Sequence, residues 1–291
     1  MVPLCLTCSK SFMFLNQLGQ SCSINAIYLV TTLRCMTLAT KDGNCYFAHE
    51  GQTRRGSCEI ASYLYTYLQE MDTKGVEKMD FFSDGCIGQN KNSVIPAMMM
   101  YFIESSKSIQ EITLNFFETN HVQSEGDSIH STIERAINQV SEIALPFQVV
   151  SIISMARKRP KPYTVIPTKS ADIKDWKTLS QKKGILRVRY AESGKNIDWT
   201  KFMQVQVKKN EPETVRFKYS HLDKEYEVIN LSNSMRRQSE SSDVESPQNL
   251  YKAGYPRLSE AKYQDLQSLC SGPTPVLSHP EYQTFYRQLN H

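Results

Sequence analysis

Side chains that could do chemistry stand out at two places in this 291-residue chain. The first is FFSDGCIGQNKN, residues 81–92, where an apolar run breaks at Asp84 into small and amide side chains. The second is NHVQSEGDSIHSTIE, residues 120–134, which carries His121, Glu125, Asp127, His130 and Glu134 around one strand-to-helix junction. A lone carboxylate at a strand end is as readily a turn residue as half of a site. Carboxylates on neighbouring strand ends and a following helix can instead collect divalent ions. Hard Mg2+ or Mn2+ prefers oxygen ligands, and a pair of such ions activates water or a hydroxyl against a phosphodiester.

Stepping GDSIHSTIERAINQ at about 100° per residue separates two faces. Ile129, Ile133, Ala136 and Val140 share one stripe, while Asp127, His130 and Glu134 share another. The plainer reading keeps Asp127 as a helix-start residue favoured by the macrodipole and Glu134 as a solvated one. After Asp84, Gly85 and Gly88 let the backbone approach a ligand, and Gln89, Asn90, Lys91 and Asn92 offer donors to phosphate or base. The same loop also reads as an Asx-rich cap for the next helix. It lacks the glycine spacing of a P-loop or a dinucleotide fingerprint.

The elements that must position these residues are legible in outline. INAIYLVTTLRCMTLAT and NCYFAHE form a hairpin about Lys41-Asp42-Gly43. The basic loop GQTRRG, with Arg54 and Arg55, precedes a helix over CEIASYLYTYLQEM. KMDFFSDG holds a strand ending at Asp84, SVIPAMMMYFIESS a helix with Pro96 in its first turn, and SIQEITLNFFE a further strand. A helix from Asp127 to about Glu142 and another over LPFQVVSIISMARKR follow. Strands alternating with helices imply an α/β fold, a mixed sheet flanked by helices. GILRVRY, FMQVQVKK and TVRFKYS predict strands of a basic β-rich appendage, and SEAKYQDLQSLC a terminal helix. The divisions are 1–22 as a divergent segment, 23–165 as the core, 166–230 as the β-rich extension, 231–250 as a polar linker and 251–291 as a helical tail.

Charge is unevenly spread. Residues 151–220 hold 17 Lys and Arg against 6 Asp and Glu, in a chain whose net charge is only +4. Clustered cations such as Arg157, Lys158, Arg159 and Lys161 suit a polyanion, although a solvated basic face has the same composition. Tyr163, Trp176 and Tyr190 are interleaved with these cations as candidates for stacking on bases. No run of about 18 apolar residues offers a membrane span, and the amino terminus lacks a secretory pattern, so an intracellular protein is expected. The eight scattered cysteines read as reduced thiols, and Cys5-x-x-Cys8 has no second pair at zinc spacing.

RRGSCEIASYL, SDGCIGQNKN, NHVQSEGDSIHSTIE, ARKRPKPYTV and AKYQDLQSLC with FYRQL together resemble a signature of an arthropod and animal family linked to mobile elements. Its domain is similar to the RNase H-like catalytic core of DDE transposases. The resemblance implies Asp84 as the second acid, with Asp127, Glu125 or Glu134 as the third and His121 and His130 assisting. It places the first acid on the opening strand, upstream of the hairpin. Residues 1–22 contain no Asp or Glu, and Glu50, at the end of NCYFAHE, is expected to substitute for it geometrically. The implied protein is transposon-derived and nuclear, binds DNA, and has lost metal-dependent cleavage. Two other classes stay open: a non-catalytic nucleic-acid-binding module built on the basic segment, and an interaction protein whose linker serines beside Arg236 and Arg237 take phosphate.

Overall fold

The Lys41-Asp42-Gly43 segment reverses the chain as its residues predict. In the computed structural model, which describes residues 2–8, 12–13, 29–37, 41–118, 125–232, 246–252, 254–271 and 275–289, Lys41 takes a left-handed φ of 57°. The Thr37 amide donates to the Asp42 carbonyl at 2.9 Å and the Lys41 amide to the Thr37 carbonyl at 2.8 Å. A side chain at Gly43 would lie 2.6 Å from the Tyr163 ring, so only glycine fits there.

The described strands form one mixed sheet. In chain order they are β1 (Val2–Cys8), β2 (Phe12–Met13), β3 (Leu29–Thr37), β4 (Gly43–His49), β5 (Lys78–Ser83), β6 (Glu111–Phe116), β7 (Thr164–Pro167), β8 (Gln204–Lys208), β9 (Thr214–Lys218) and β10 (Glu227–Asn230). Their spatial order is β10-β9-β8-β6-β5-β1-β3-β4-β7, with β2 beside β3. β1 to β3 and β3 to β4 are antiparallel, whereas β1 to β5, β5 to β6 and β4 to β7 are parallel.

Helices cover both faces, as an α/β fold requires. α1 (Ser57–Thr73), α2 (Val94–Ser105) and α5 (Trp176–Lys182) pack on one face, where Leu64, Leu68, Met98, Phe102 and Trp176 meet Phe81, Leu114 and Val205. α3 (Glu125–Asn138), α4 (Pro146–Met155), α6 (Glu260–Ser268) and α7 (Pro280–Arg287) share a second core with Cys45 and Phe47. β4 serves both cores because successive side chains on a strand point opposite ways: Tyr46 enters the first, Cys45 and Phe47 the second.

The sheet places segments that the sequence leaves apart or open. Of residues 1–22, the divergent segment, Val2–Cys8 supplies β1 to the middle of the sheet. VPLCLTC is a short, mostly apolar run, which suits a strand flanked on both sides, and no periodicity marks it out. The β-rich extension is no separate appendage either: β8 pairs antiparallel with β6 and carries the same sheet outward. Its Val205, Val207, Val215 and Phe217 continue the first apolar face. GILRVRY is not a strand; Gly184, at φ 70°, follows α5 and leads into a 3-10 turn at Ile185–Arg187 that buries Ile185. Most of the expected linker, residues 233–245, lies outside the described residues. No helix among the described residues is long and apolar enough to cross a membrane.

Candidate functional site

Strand direction decides which residues can meet. β1, β4, β5, β6 and β7 all point the same way, so their carboxyl ends define one edge of the sheet. Asp84 follows β5 on that edge, Glu50 follows β4, and Glu118 lies just beyond β6. The Phe117 amide donates to the Ser83 carbonyl at 2.9 Å, which keeps the ends of β5 and β6 together.

The loop after Asp84 is braced from within. Asn90 is only 3% exposed; its Nδ2 donates to Ser83 Oγ at 2.7 Å and to the Asp84 carbonyl at 2.9 Å, and its Oδ1 accepts the Cys86 amide at 2.8 Å. Asn92 accepts the Val94 amide at 2.9 Å and donates to the Ile87 carbonyl at 3.1 Å, which ties the loop to the start of α2. These two amides therefore shape the loop, Asn92 through the Val94 amide at the start of α2 and Asn90 through Ser83, Asp84 and Cys86. Lys91 lies over the Phe116 ring at 5.2 Å, and burial lowers its pKa. Asp84 is exposed at the loop's mouth, and Gln89 is partly so.

Of the other predicted acids, Glu50 does not join Asp84. Glu50 is separated from it by three strand spacings, about 14 Å at about 4.8 Å each. It is paired instead with Lys262 Nζ at 2.6 Å. Glu50 is expected from the sequence to substitute geometrically; the sheet order removes it, because β3 and β1 stand between β4 and β5. α3 packs on β1 and β3 with Ile129 and Ile133 fully buried, so its apolar stripe faces the core as the helical stepping requires. On its other side His130 Nε2 lies 3.7 Å from Glu134 Oε2. Glu125 and Asp127 begin this helix, but their side chains, like all of His121, lie outside the described residues. Among the described residues no three His, Cys, Asp or Glu side chains are grouped to hold a metal ion. Cys45, Cys58, Cys86 and Cys270 form no disulfide with one another.

The basic cluster at 157–161 sits at the opposite edge. It precedes β7 and wraps the β3–β4 turn: Arg157 donates to the Lys41 carbonyl at 3.0 Å and stacks over Tyr163 at 4.2 Å, and Lys161 pairs with Asp42 at 2.7 Å. With seven residues in β4, the two edges are about 20 Å apart. Lys158 and Arg159 are exposed there. Of the aromatics expected to stack on bases, Tyr163 and Trp176 are core residues, Trp176 donating to Ser62 Oγ at 2.9 Å; Tyr190 is 63% exposed. Several cations of the 151–220 segment are likewise committed, Lys183 to Glu104 at 2.6 Å, Lys208 to Glu111 at 3.5 Å and Arg216 to Glu211 at 2.5 Å.

No family model, curated protein or solved structure matches this chain.

The functional reading accordingly rests on the edge itself. Sequence reasoning missed three of its members. Glu118 is exposed beside the Asp84 loop. Arg257 and Lys262, some 200 residues beyond Arg54 and Arg55, line a cavity with them. Nothing local in the sequence links such distant positions; only the docking of α6 near the end of β4 does.

Proposed function

We propose that this chain is a transposase-derived nucleic-acid-binding protein on an RNase H-like sheet, one that keeps the second acid position and has lost the first. The pairing of β1 with β5 carries this reading. The resemblance puts the first acid on the opening strand, next to the strand that ends at the second acid. β1 is parallel to β5, with Leu6 opposite Ser83, so Leu6, Thr7 and Cys8 run beside the end of β5. None of the three has a carboxylate. Strand succession supports the same fold: three antiparallel strands, then β5 and β6 added in parallel through α1 and α2.

A two-ion centre needs its bridging carboxylates within a few ångströms of each other. Leu6, Thr7 and Cys8 put no carboxylate on β1 beside Asp84 and Glu50 is three strands away, so the bridging position is unfilled among the described residues and the proposed activity is binding in the nucleus without cleavage. Exposed Arg54 and Arg55, on the Asp84 edge, supply cations for DNA phosphates. Fluorescence anisotropy with labelled DNA across a salt series, run beside a plasmid-nicking assay in Mg2+ and Mn2+, tests this. Binding that weakens steeply with salt, and equal background nicking by the protein and its Asp84→Asn variant, is the expected outcome. Salt-independent binding, or nicking that disappears with Asp84→Asn, overturns it.

A further inference from the structure

At the carboxyl end of β4 the chain builds a cavity of about 300 Å³ lined by Glu50, Thr53, Arg54, Arg55, Arg257 and Lys262, with Leu258 and Ser259 completing the wall. We infer that this cavity is a phosphate-binding pocket. Its cations arrive from two distant stretches of chain, one before α1 and one at the start of α6, and Glu50 is the lone carboxylate in the lining.

The base of the pocket is fixed. The Thr53 amide donates to the His49 carbonyl at 3.0 Å, and buried Thr53 Oγ1 is 3.4 Å from the Tyr63 hydroxyl. The Arg54 amide donates to the Tyr251 hydroxyl at 2.7 Å, and that hydroxyl donates to the buried Glu59 carboxylate. Ser170 Oγ donates to the Gln52 carbonyl at 2.5 Å from the far side. Lys262 and Glu50, 17% and 18% exposed, pair on the floor. Glu50 is thereby answered by one cation, and three arginines remain at the rim.

Three arginines and a lysine against one carboxylate make the lining net positive, which favours an anion there. Arginine's planar fork matches phosphate oxygens in pairs, which a scatter of lysines would not. The volume is at the small end of ligand sites and suits one or two phosphate groups more than a whole nucleotide. The location agrees as well, since open sheets bind ligands outside the carboxyl ends of their parallel strands, here β4 and β7. A free phosphate and the terminal phosphate of a nucleic-acid strand share this chemistry. Only the second source rests on the proposed function.

The test uses the full chain, an Arg54→Ala/Arg257→Ala variant and an Arg54→Lys/Arg257→Lys variant, each first checked for a parent-like far-UV spectrum and melting transition. Inorganic phosphate, pyrophosphate and labelled single-stranded oligonucleotides ending in 5′-phosphate or 5′-hydroxyl are titrated at fixed ionic strength. Phosphate or pyrophosphate should bind the parent and lose about tenfold or more in affinity with the alanine pair, since each arginine contact is charge-assisted. The lysine pair should fall between. If the pocket holds a strand end, the 5′-phosphate oligonucleotide binds more tightly than its 5′-hydroxyl twin, and the advantage disappears in the alanine variant. Phosphate binding without oligonucleotide binding keeps the pocket and sinks the nucleic-acid reading. Oligonucleotide binding with no phosphate binding, and no effect of either variant, keeps that reading and overturns the pocket.

Discussion

Asn90 and Asp72 show how single polar side chains fix the two ends of the β5–β6 pair, Asn90 beyond the carboxyl end of β5 and Asp72 ahead of the amino end of β6. Asn90 satisfies three partners in the Asp84 loop from a buried position. Asn90→Ala should therefore destabilise the fold by about 2–3 kcal/mol in urea unfolding, because it strands a buried amide and hydroxyl, and should loosen Asp84 at the same time. Asp72, at the end of α1, accepts hydrogen bonds from Ser106 Oγ and the amides of Lys107, Ser108 and Ile109 at 2.6–3.1 Å, clamping the turn into β6. Burial pushes its pKa up, but those hydrogen bonds outweigh it and hold the carboxyl down to about 2. A depressed acid stabilises the fold above its ordinary pKa of about 4, and that contribution is lost as pH falls through about 2. Thermal melts should accordingly separate wild type from Asp72→Asn near neutral pH and converge near pH 2. That Asn90 sits inside the loop could not be read from GQNKN, where four neighbouring polar residues look alike; burial singles out one of them.

At the scale of elements, α5 and the 157–161 cluster brace the fold. Trp176 is fully buried where α5 meets α1 and α2, packed against Tyr65 and Tyr101 at ring separations of 5.0 and 5.8 Å. Trp176→Ala should cost about 3–5 kcal/mol in chemical denaturation. Trp176→Phe, which loses the bond to Ser62 and leaves room unfilled, should cost less and leave DNA affinity unchanged. A base-stacking tryptophan would have the reverse pattern. Arg157 and Lys161 hold the β3–β4 turn, so Arg157→Ala should lower the melting temperature through the loss of a cation–π contact and two carbonyl contacts, about 1–2 kcal/mol together. Hairpin, α1, α2 and their intervening strands followed from apolar period and turn residues. β1 and the β8–β10 continuation did not, since a flanked strand has no amphipathic period and pairing partners lie far off in sequence.

For the whole molecule, strand direction sorts the cations into two groups about 20 Å apart. Arg54 and Arg55 share the Asp84 edge; Lys158 and Arg159 stand at the other. If nucleic acid follows the carboxyl edge, Arg54→Ala/Arg55→Ala reduces the slope of log affinity against log salt by about 1–2, whereas Lys158→Ala/Arg159→Ala leaves it within error. The opposite result would move the interface to the hairpin edge. Net charge could not make this distinction, because composition counts cations without regard to which are paired.

The sequence by itself determined the alternation of strands and helices, the hairpin turn, the apolar stripe of α3, the strand end at Asp84 and the absence of any acid from residues 1–22. Those are local properties, set by side-chain period, turn chemistry and residue type. Tertiary structure decided that β1 lies against β5, that Glu50 is three strands from Asp84, that Trp176 and Tyr163 are core, and that Arg257 and Lys262 complete a pocket with Arg54 and Arg55. Each of these depends on which distant segments pack together, and that is fixed by burial of whole faces, which no single stretch of chain encodes.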